Sequence, residues 1–205
     1  RKDRWGYDPR ILKEQQVGHF EFYGPQPFDK GHMVRRENPG WGAKEAEALL
    51  GEEDSFIYTN AVPQMPDLNQ KTWLSLENYV LQNAKVEGFK VNVFTGPVLR
   101  EDDPEYEGVR VPLDFWKIVV AVESGTNKLL ASAYLLTQEG MMPTEGFRYG
   151  PFKTYQVALK YVEELTDLKF PKNVRDADVF GQESLLELNQ RGRMLEVREA
   201  GDIIL

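Results

Sequence analysis

The chain has 205 residues, a formal net charge of −8, 41% hydrophobic and 28% charged residues, and no cysteine. That size and balance fit one soluble globular domain with a sizeable core. They exclude a disulfide scaffold, a thiolate metal centre and, because no apolar run approaches the ~18 residues required, a membrane-spanning helix. The negative balance also argues against a protein that simply coats nucleic acid, since that affinity comes from Lys and Arg neutralising phosphates. The excess acid lies late in the chain, including the run Glu101-Asp102-Asp103-Pro104-Glu105, so a local basic groove is still permitted.

Arg1, Lys2, Arg4, Trp5 and Tyr7 make a basic and aromatic start. With no initiating methionine and no apolar leader, an upstream segment is expected to have been removed, which leaves the compartment open between cytoplasmic and secreted. Alternating apolar residues over 17–23 predict a strand ended by Gly24-Pro25 and Pro27, with His19 on its polar face. Residues 29–36 read as a compact turn, 38–42 as a second turn, and 43–50 as a helix ending at Gly51. Residues 55–59 read as a short buried strand, followed by an irregular loop imposed by Pro63 and Pro66. A helix from about 69 to about 86 is marked by the stripe Trp73, Leu76, Val80 and Ala84.

Residues 89–93 predict a strand that turns at Gly96-Pro97, and the acidic stretch 101–107 a loop. The strongest strand pattern is 115–122, joined through Gly125-Thr126-Asn127 to 129–137 as a central antiparallel hairpin. Its near-continuous apolarity implies burial on both faces and helices packed on the sheet. A loop over 140–151 precedes a helix over 154–165 with Val157, Ala158, Tyr161, Val162 and Leu165 on its apolar face. Leu168 and Phe170 are expected to cover the core edge, 184–189 to form a short helix, and Ile203-Ile204-Leu205 to end as a strand or a docked tail. No internal repeat or low-complexity segment occurs. The expected fold is α+β, a central mostly antiparallel sheet flanked by helices. A single domain spans 1–205, with about 166–205 as a C-terminal extension packed on it.

Two stretches carry chemistry. Asp29-Lys30-Gly31-His32 is followed by Arg35 and Arg36, and His32 is one of two histidines in the chain. A neutral imidazole beside basic residues can take a proton next to a phosphate, which makes His32 the candidate general base. The second stretch runs from Thr59 through Asn60, Gln64, Asp67, Asn69 and Gln70 to Glu77. Its uncharged amides suit hard oxygen ligation of a magnesium ion that keeps most of its waters. Glu77 stands about two turns beyond Asn69 on the predicted helix, offset by roughly 80°. Both can therefore face one hydrated ion without both touching it.

In that order, Asp29-Lys30-Gly31-His32, Asn60-Ala61-Val62-Pro63-Gln64, Leu68-Asn69-Gln70 and Glu77 resemble the signature of the DNA/RNA non-specific endonucleases with a ββα-metal site, the group that includes Serratia nuclease and mitochondrial endonuclease G. Thr95-Gly96-Pro97-Val98, Val111-Pro112 with Phe115-Trp116-Lys117, and 131–137 extend the likeness over most of the chain. The resemblance implies a ββα-metal motif and hydrolysis of DNA and RNA to 5′-phosphate ends without strong sequence preference. It implies His32 as base, Asn69 as the direct protein ligand of one Mg²⁺, with Mn²⁺ as the alternative ion, and Glu77 orienting metal-bound water.

By the same likeness, Asp29, Lys30 and Asn60 belong to the catalytic set, and Arg35, Arg36 and Gln64 to the nucleic-acid contacts. A phosphate-contacting cation near the start is expected among Arg1, Lys2 and Arg4, which stay as alternatives beside a plain solvated terminus. Asn60 and Gln64 carry a second reading, as braces through backbone contacts, and Asp29 one as a structural turn residue. Lys30 stands where the family usually has arginine, keeping the charge but losing the bidentate fork. Leu81 replaces a basic residue found in some members, and Lys85 lies one turn further on. A weakened member that binds nucleic acid or protein without cutting, or a gated effector domain of a larger protein, is the alternative. An inhibitor or regulatory domain and an oligomeric state are compatible with either.

Overall fold

A computed structural model describes residues 4–69, 90–123, 125–140, 153–181 and 194–198. In chain order the regular elements are β1 (Asp29–His32), α1 (Glu45–Asp54), β2 (Ala61–Gln64), β3 (Lys90–Val98), β4 (Glu105–Tyr106), β5 (Val109–Arg110), β6 (Asp114–Val122), β7 (Leu129–Thr137), β8 (Lys153–Val157), α2 (Leu159–Thr166), α3 (Lys172–Asp176) and β9 (Met194–Val197). They fall into two compact units, one of Arg1–Asn69 with Asp102–Pro112 and one of Gln70–Glu101 with Leu113–Leu205.

The second unit holds a five-stranded antiparallel sheet in the order β3-β6-β7-β8-β9. The predicted hairpin is its centre, β6 paired with β7 from Asp114↔Thr137 to Val122↔Leu129. Side chains alternate across a strand. Trp116, Ile118 and Val120 therefore share one face with Ala131, Ala133, Leu135 and Val157, and Leu159 and Val162 of α2 close that face into a core. The opposite face is shut as well: Phe115, Lys117, Tyr134, Leu136 and Gln156 are all buried. The expected burial of both faces holds, and the fold is α+β.

Tertiary pairing overrides several local expectations. Gly96-Pro97 does not turn the chain, since β3 runs through both and pairs Gly96 with Trp116 and Pro97 with Phe115. Among the described strands β3 is outermost, where a residue lacking an N–H is tolerated. Residues 154–157, expected to open a helix, belong to β8 instead, because Thr154, Tyr155 and Val157 suit a strand and Leu136↔Thr154 extends the ladder. The helix begins only after Ala158. Of the predicted cover, Phe170 packs on the core whereas Leu168 is exposed. β9, not foreseen, adds a strand to β8.

In the first unit, 17–23 is not a strand. Tyr23 N donates to Gly18 O (3.2 Å) and Gly24 N to His19 O (2.6 Å), the wider turns of a π-helix over His19–Tyr23. This winding buries the consecutive pair Phe22 and Tyr23 against Phe28 and Tyr58 and leaves Phe20 86% exposed, a pattern that period-2 alternation cannot produce. Residues 55–59 are likewise not a strand. They offer one rung, Gly6↔Ile57, before a 3₁₀ turn at Tyr58–Asn60. Helix α1 continues through Gly51 to Asp54, and Gly51 is needed for closeness, since a Cβ there would lie 2.3 Å from Pro39 O. The acidic loop contains the small hairpin β4–β5. The predicted elements over 70–86, 141–151, 184–189 and 203–205 lie outside the described residues.

Helix α2 has no capping side chain of its own. Asp178, buried beside the rung Ala131↔Asp178, supplies one by accepting from Leu159 N at 2.7 Å. Burial pushes its carboxyl above the ordinary range against the opposing pull of backbone donors at Leu159, Gly181 and Phe180. Asp178→Ala is expected to cost about 1–3 kcal/mol, read as a lower urea midpoint at unchanged m. Because the native state holds this proton to higher pH than the unfolded chain, the contribution falls as pH rises from the ordinary Asp value through the raised one. Asp178→Asn should therefore gain stability relative to wild type over that rise.

Candidate active site

Asp29, Lys30, Gly31 and His32 are the four residues of β1, not a turn. A compact turn would leave their backbone groups to local bonds. Here β2 takes them up in the register Asp29↔Gln64, Lys30↔Pro63, Gly31↔Val62 and His32↔Ala61. Pro63 and Gln64 thus belong to a strand, with Pro63 accommodated because the ribbon has only two strands and each is an edge. Alternation sends Lys30 and His32 to one face of the ribbon and Asp29 and Gly31 to the other.

The His32 face is aromatic. The imidazole lies 4.5 Å from the Trp5 ring, tilted by 45°, and 4.8 Å from the Phe56 ring, edge-on at 90°. Trp5 also stacks on Tyr58 at 6.0 Å, and Tyr58 on Tyr23 at 6.4 Å. Lys30 Nζ stands 5.7 Å over the Tyr23 ring, a cation–π contact that holds the ammonium along the same wall. Burial and the neighbouring Tyr58 push the Tyr23 hydroxyl well above the ordinary phenol range, so it stays protonated beside Lys30.

On the other face the two signature stretches meet. Asn69 Nδ2 donates to Asp29 Oδ2 at 3.0 Å. Residues 66–69 are helical, with Asn69 N donating to Met65 O at 3.1 Å. Beneath them Gln64 is 0% exposed, and neither of its amide atoms has a hydrogen-bond partner among the described residues. It fills the space above Gly31, where a Cβ would lie 2.1 Å from Gln64 Oε1 and 2.5 Å from its Cγ. The glycine before His32 is there because Gln64 is.

Asn60 is a brace. Its Oδ1 accepts from Val34 N, and its Nδ2 donates to Val34 O and to Ser55 O, each at 2.9 Å. Its carbonyl accepts from Met33 N at 3.0 Å, so the chain leaving His32 is fixed at once. Arg35 pairs with Glu37 at 2.8 Å, and Arg36 pairs with Glu52 at 3.1 Å while resting 5.9 Å over Phe56. Arg1, Lys2, Gln70 and Glu77 lie outside the described residues, and Arg4 is exposed.

Supports that periodicity gave no means of finding come from the start of the chain. Gly6 N donates to Phe56 O and Tyr58 N to Gly6 O, both at 2.9 Å, which lays Trp5 against the site. Asp8, buried, accepts from Thr59 Oγ1 at 3.0 Å and from Arg10 Nε at 2.8 Å, and Gln16 bridges its backbone. Arg10 holds the Asp8 carboxyl well below the usual carboxylate range. Among the described residues no group of three or more His, Cys, Asp or Glu is placed to hold a metal.

The sequence matches the family described as DNA/RNA non-specific endonuclease over residues 1–177. The chain belongs to that family. An uncharacterized protein, y4fB, of Sinorhizobium fredii is 37% identical over 194 residues, 87% of this chain and 29% of that protein. A nuclease of Nostoc sp. is 28% identical over 158 residues, 74% of this chain and 53% of its own. Mitochondrial endonuclease G of Bos taurus is 26% identical over 164 residues, 74% of this chain and 51% of its own. The chain thus spans between 29% and 53% of the length of these relatives. Its fold matches a chain of the solved EndoG/EndoGI complex with a TM-score of 0.59 at 23% identity, covering 85% of this chain and 70% of that one.

Gly31→Ala is expected to cost about 1–3 kcal/mol through overpacking, since Gln64 is walled in. Gln64→Ala in the same chain should return most of that loss, measured as a double-mutant cycle in urea.

Proposed function

We propose that this member of the family is a divalent-metal-dependent, sugar-non-specific endonuclease domain that hydrolyses DNA and RNA to 5′-phosphate ends. The reading is carried by the Asn69 Nδ2 to Asp29 Oδ2 hydrogen bond, which fastens the amide stretch to the ribbon bearing His32. With its NH₂ group held by a carboxylate, Asn69 turns Oδ1 away from Asp29 and offers it to a hard cation. A single neutral oxygen donor suits Mg²⁺, which keeps several waters, and Mn²⁺ by the same chemistry; it does not suit zinc, which takes three or four protein ligands from His, Cys and carboxylates. When bound, the ion supplies positive charge to the non-bridging and leaving oxygens of the scissile phosphate.

His32 takes the proton of the attacking water, and its contacts with Trp5 and Phe56 set the ring's direction. Lys30 neutralises phosphate charge from the same face of the ribbon, as a point charge and not a fork. Asp29 acts through Asn69, Asn60 through the backbone after His32, and Glu77 through metal-bound water. Gln64 supports β1 from behind, and a basic residue of the first few positions with Arg35 or Arg36 contacts the backbone of the nucleic acid. Backbone recognition implies little sequence preference. The chain acts as one domain, and an inhibitor protein is a partner class suggested by the complex in which the matching EndoG fold was solved. No described helix is long and apolar enough to cross a membrane.

The second reading, a member that binds without cutting, is motivated by Lys30 in the place where the family usually has arginine and by the net charge of −8. Incubation with supercoiled plasmid and with RNA decides between them. Magnesium should support nicking of both and EDTA should stop it. His32→Ala should lower the rate by about 10²–10⁴-fold, and Asn69→Ala should raise the metal concentration needed as well as lower the rate. Undiminished cleavage by His32→Ala would remove the mechanism.

A further inference from the structure

We infer that Trp5 is a positioning residue for the His32 imidazole, acting with Phe56 as a two-ring clamp on the reacting side of the ribbon. The inference rests on the nuclease reading for its consequence in rate, and on geometry alone for the clamp itself. The three rings touch one another pairwise: Trp5 to His32 at 4.5 Å, Phe56 to His32 at 4.8 Å, and Trp5 to Phe56 at 5.3 Å in a T-shaped pair. Two walls at different inclinations, one tilted by 45° and one perpendicular, leave an imidazole far less room to turn about its Cβ–Cγ bond than either would alone. His32 Nε2 is closed to solvent inside this arrangement. Such rotation matters because a general base must hold one nitrogen on the line to its water.

The clamp is built from fixed parts. Phe56 is buried, and the bonds of Gly6 to Phe56 and Tyr58 lock the residue after Trp5 into register with the residues that carry the second ring. Asp8 fastens the same segment to Thr59, immediately before Asn60, and Asn60 fastens the chain leaving His32. The stacking of Trp5 on Tyr58 adds a third fixed ring. One continuous arrangement therefore runs from the start of the chain to the base.

The test compares wild type with Trp5→Leu and Trp5→Phe, each first checked for an intact urea transition. The ring ¹⁵N shifts of His32, assigned by their loss in His32→Gln, report its orientation and tautomer without any need for turnover. Wild type should show one set of shifts, Trp5→Leu averaged or doubled shifts, and Trp5→Phe the wild-type pattern. In plasmid cleavage with saturating magnesium, Trp5→Leu should lower kcat by roughly 10–100-fold with KM within about twofold, and Trp5→Phe should recover most of it. Unchanged ring shifts in Trp5→Leu would overturn the clamp. So would altered shifts with full kcat, which would make the contact incidental to the reaction. A loss in KM alone would place Trp5 on the substrate and also overturn it. If wild type cuts neither DNA nor RNA, the nuclease reading fails by itself, and the ¹⁵N shifts still decide the clamp.

Discussion

A carboxylate-to-amide hydrogen bond between residues 40 positions apart, Asp29 and Asn69, sets the geometry on which the remaining features depend. An amide has two chemically opposite ends, a donor and an acceptor. Asp29 occupies the donor end of Asn69, so the fold directs where its carbonyl oxygen points. A donor paired with an ionised acceptor is roughly twice as strong as a neutral pair, which makes this a firm constraint at modest cost. It also explains why an acidic residue belongs at the head of β1 although it faces away from His32.

The ribbon β1–β2 separates two environments within four residues. One face carries His32 and Lys30 against rings, where orientation is set by shape. The other carries Asp29 and Asn69, where orientation is set by hydrogen bonds. Gly31 and Gln64 form the seam between them. Gln64 buries an amide with no partner among the described residues, a cost of about 1–3 kcal/mol that an apolar residue of like size would avoid. Departures of this kind gather at working sites, where local stability gives way to the placement of a neighbour. Here the neighbour is the backbone that delivers His32.

Much of the second unit was legible because its signal is redundant. The β6–β7 hairpin combines β-branched residues, apolar runs and a Gly-Thr-Asn connection, and each points the same way. The family was legible through the order of its motif residues along the chain, not through periodicity. What escaped was decided at long range. The π-helix at His19–Tyr23 arises from burying Phe22 and Tyr23 side by side, and no window of sequence contains Phe28 and Tyr58 as their partners. Gly51 and Gly96-Pro97 looked like punctuation, yet one is a contact point and the other lies within a strand. Trp5 carried no periodic pattern, and its placement depends on a single rung at Gly6↔Ile57.

The proline within β3 has a bearing on how the molecule behaves in a crowded solution. Outermost strands are templates for intermolecular pairing, and flat ones seed aggregation. Pro97 removes one donor from β3, and Lys90 at its start adds an exposed charge. The sheet can therefore remain long enough to carry its core without offering a complete ladder of donors to another copy.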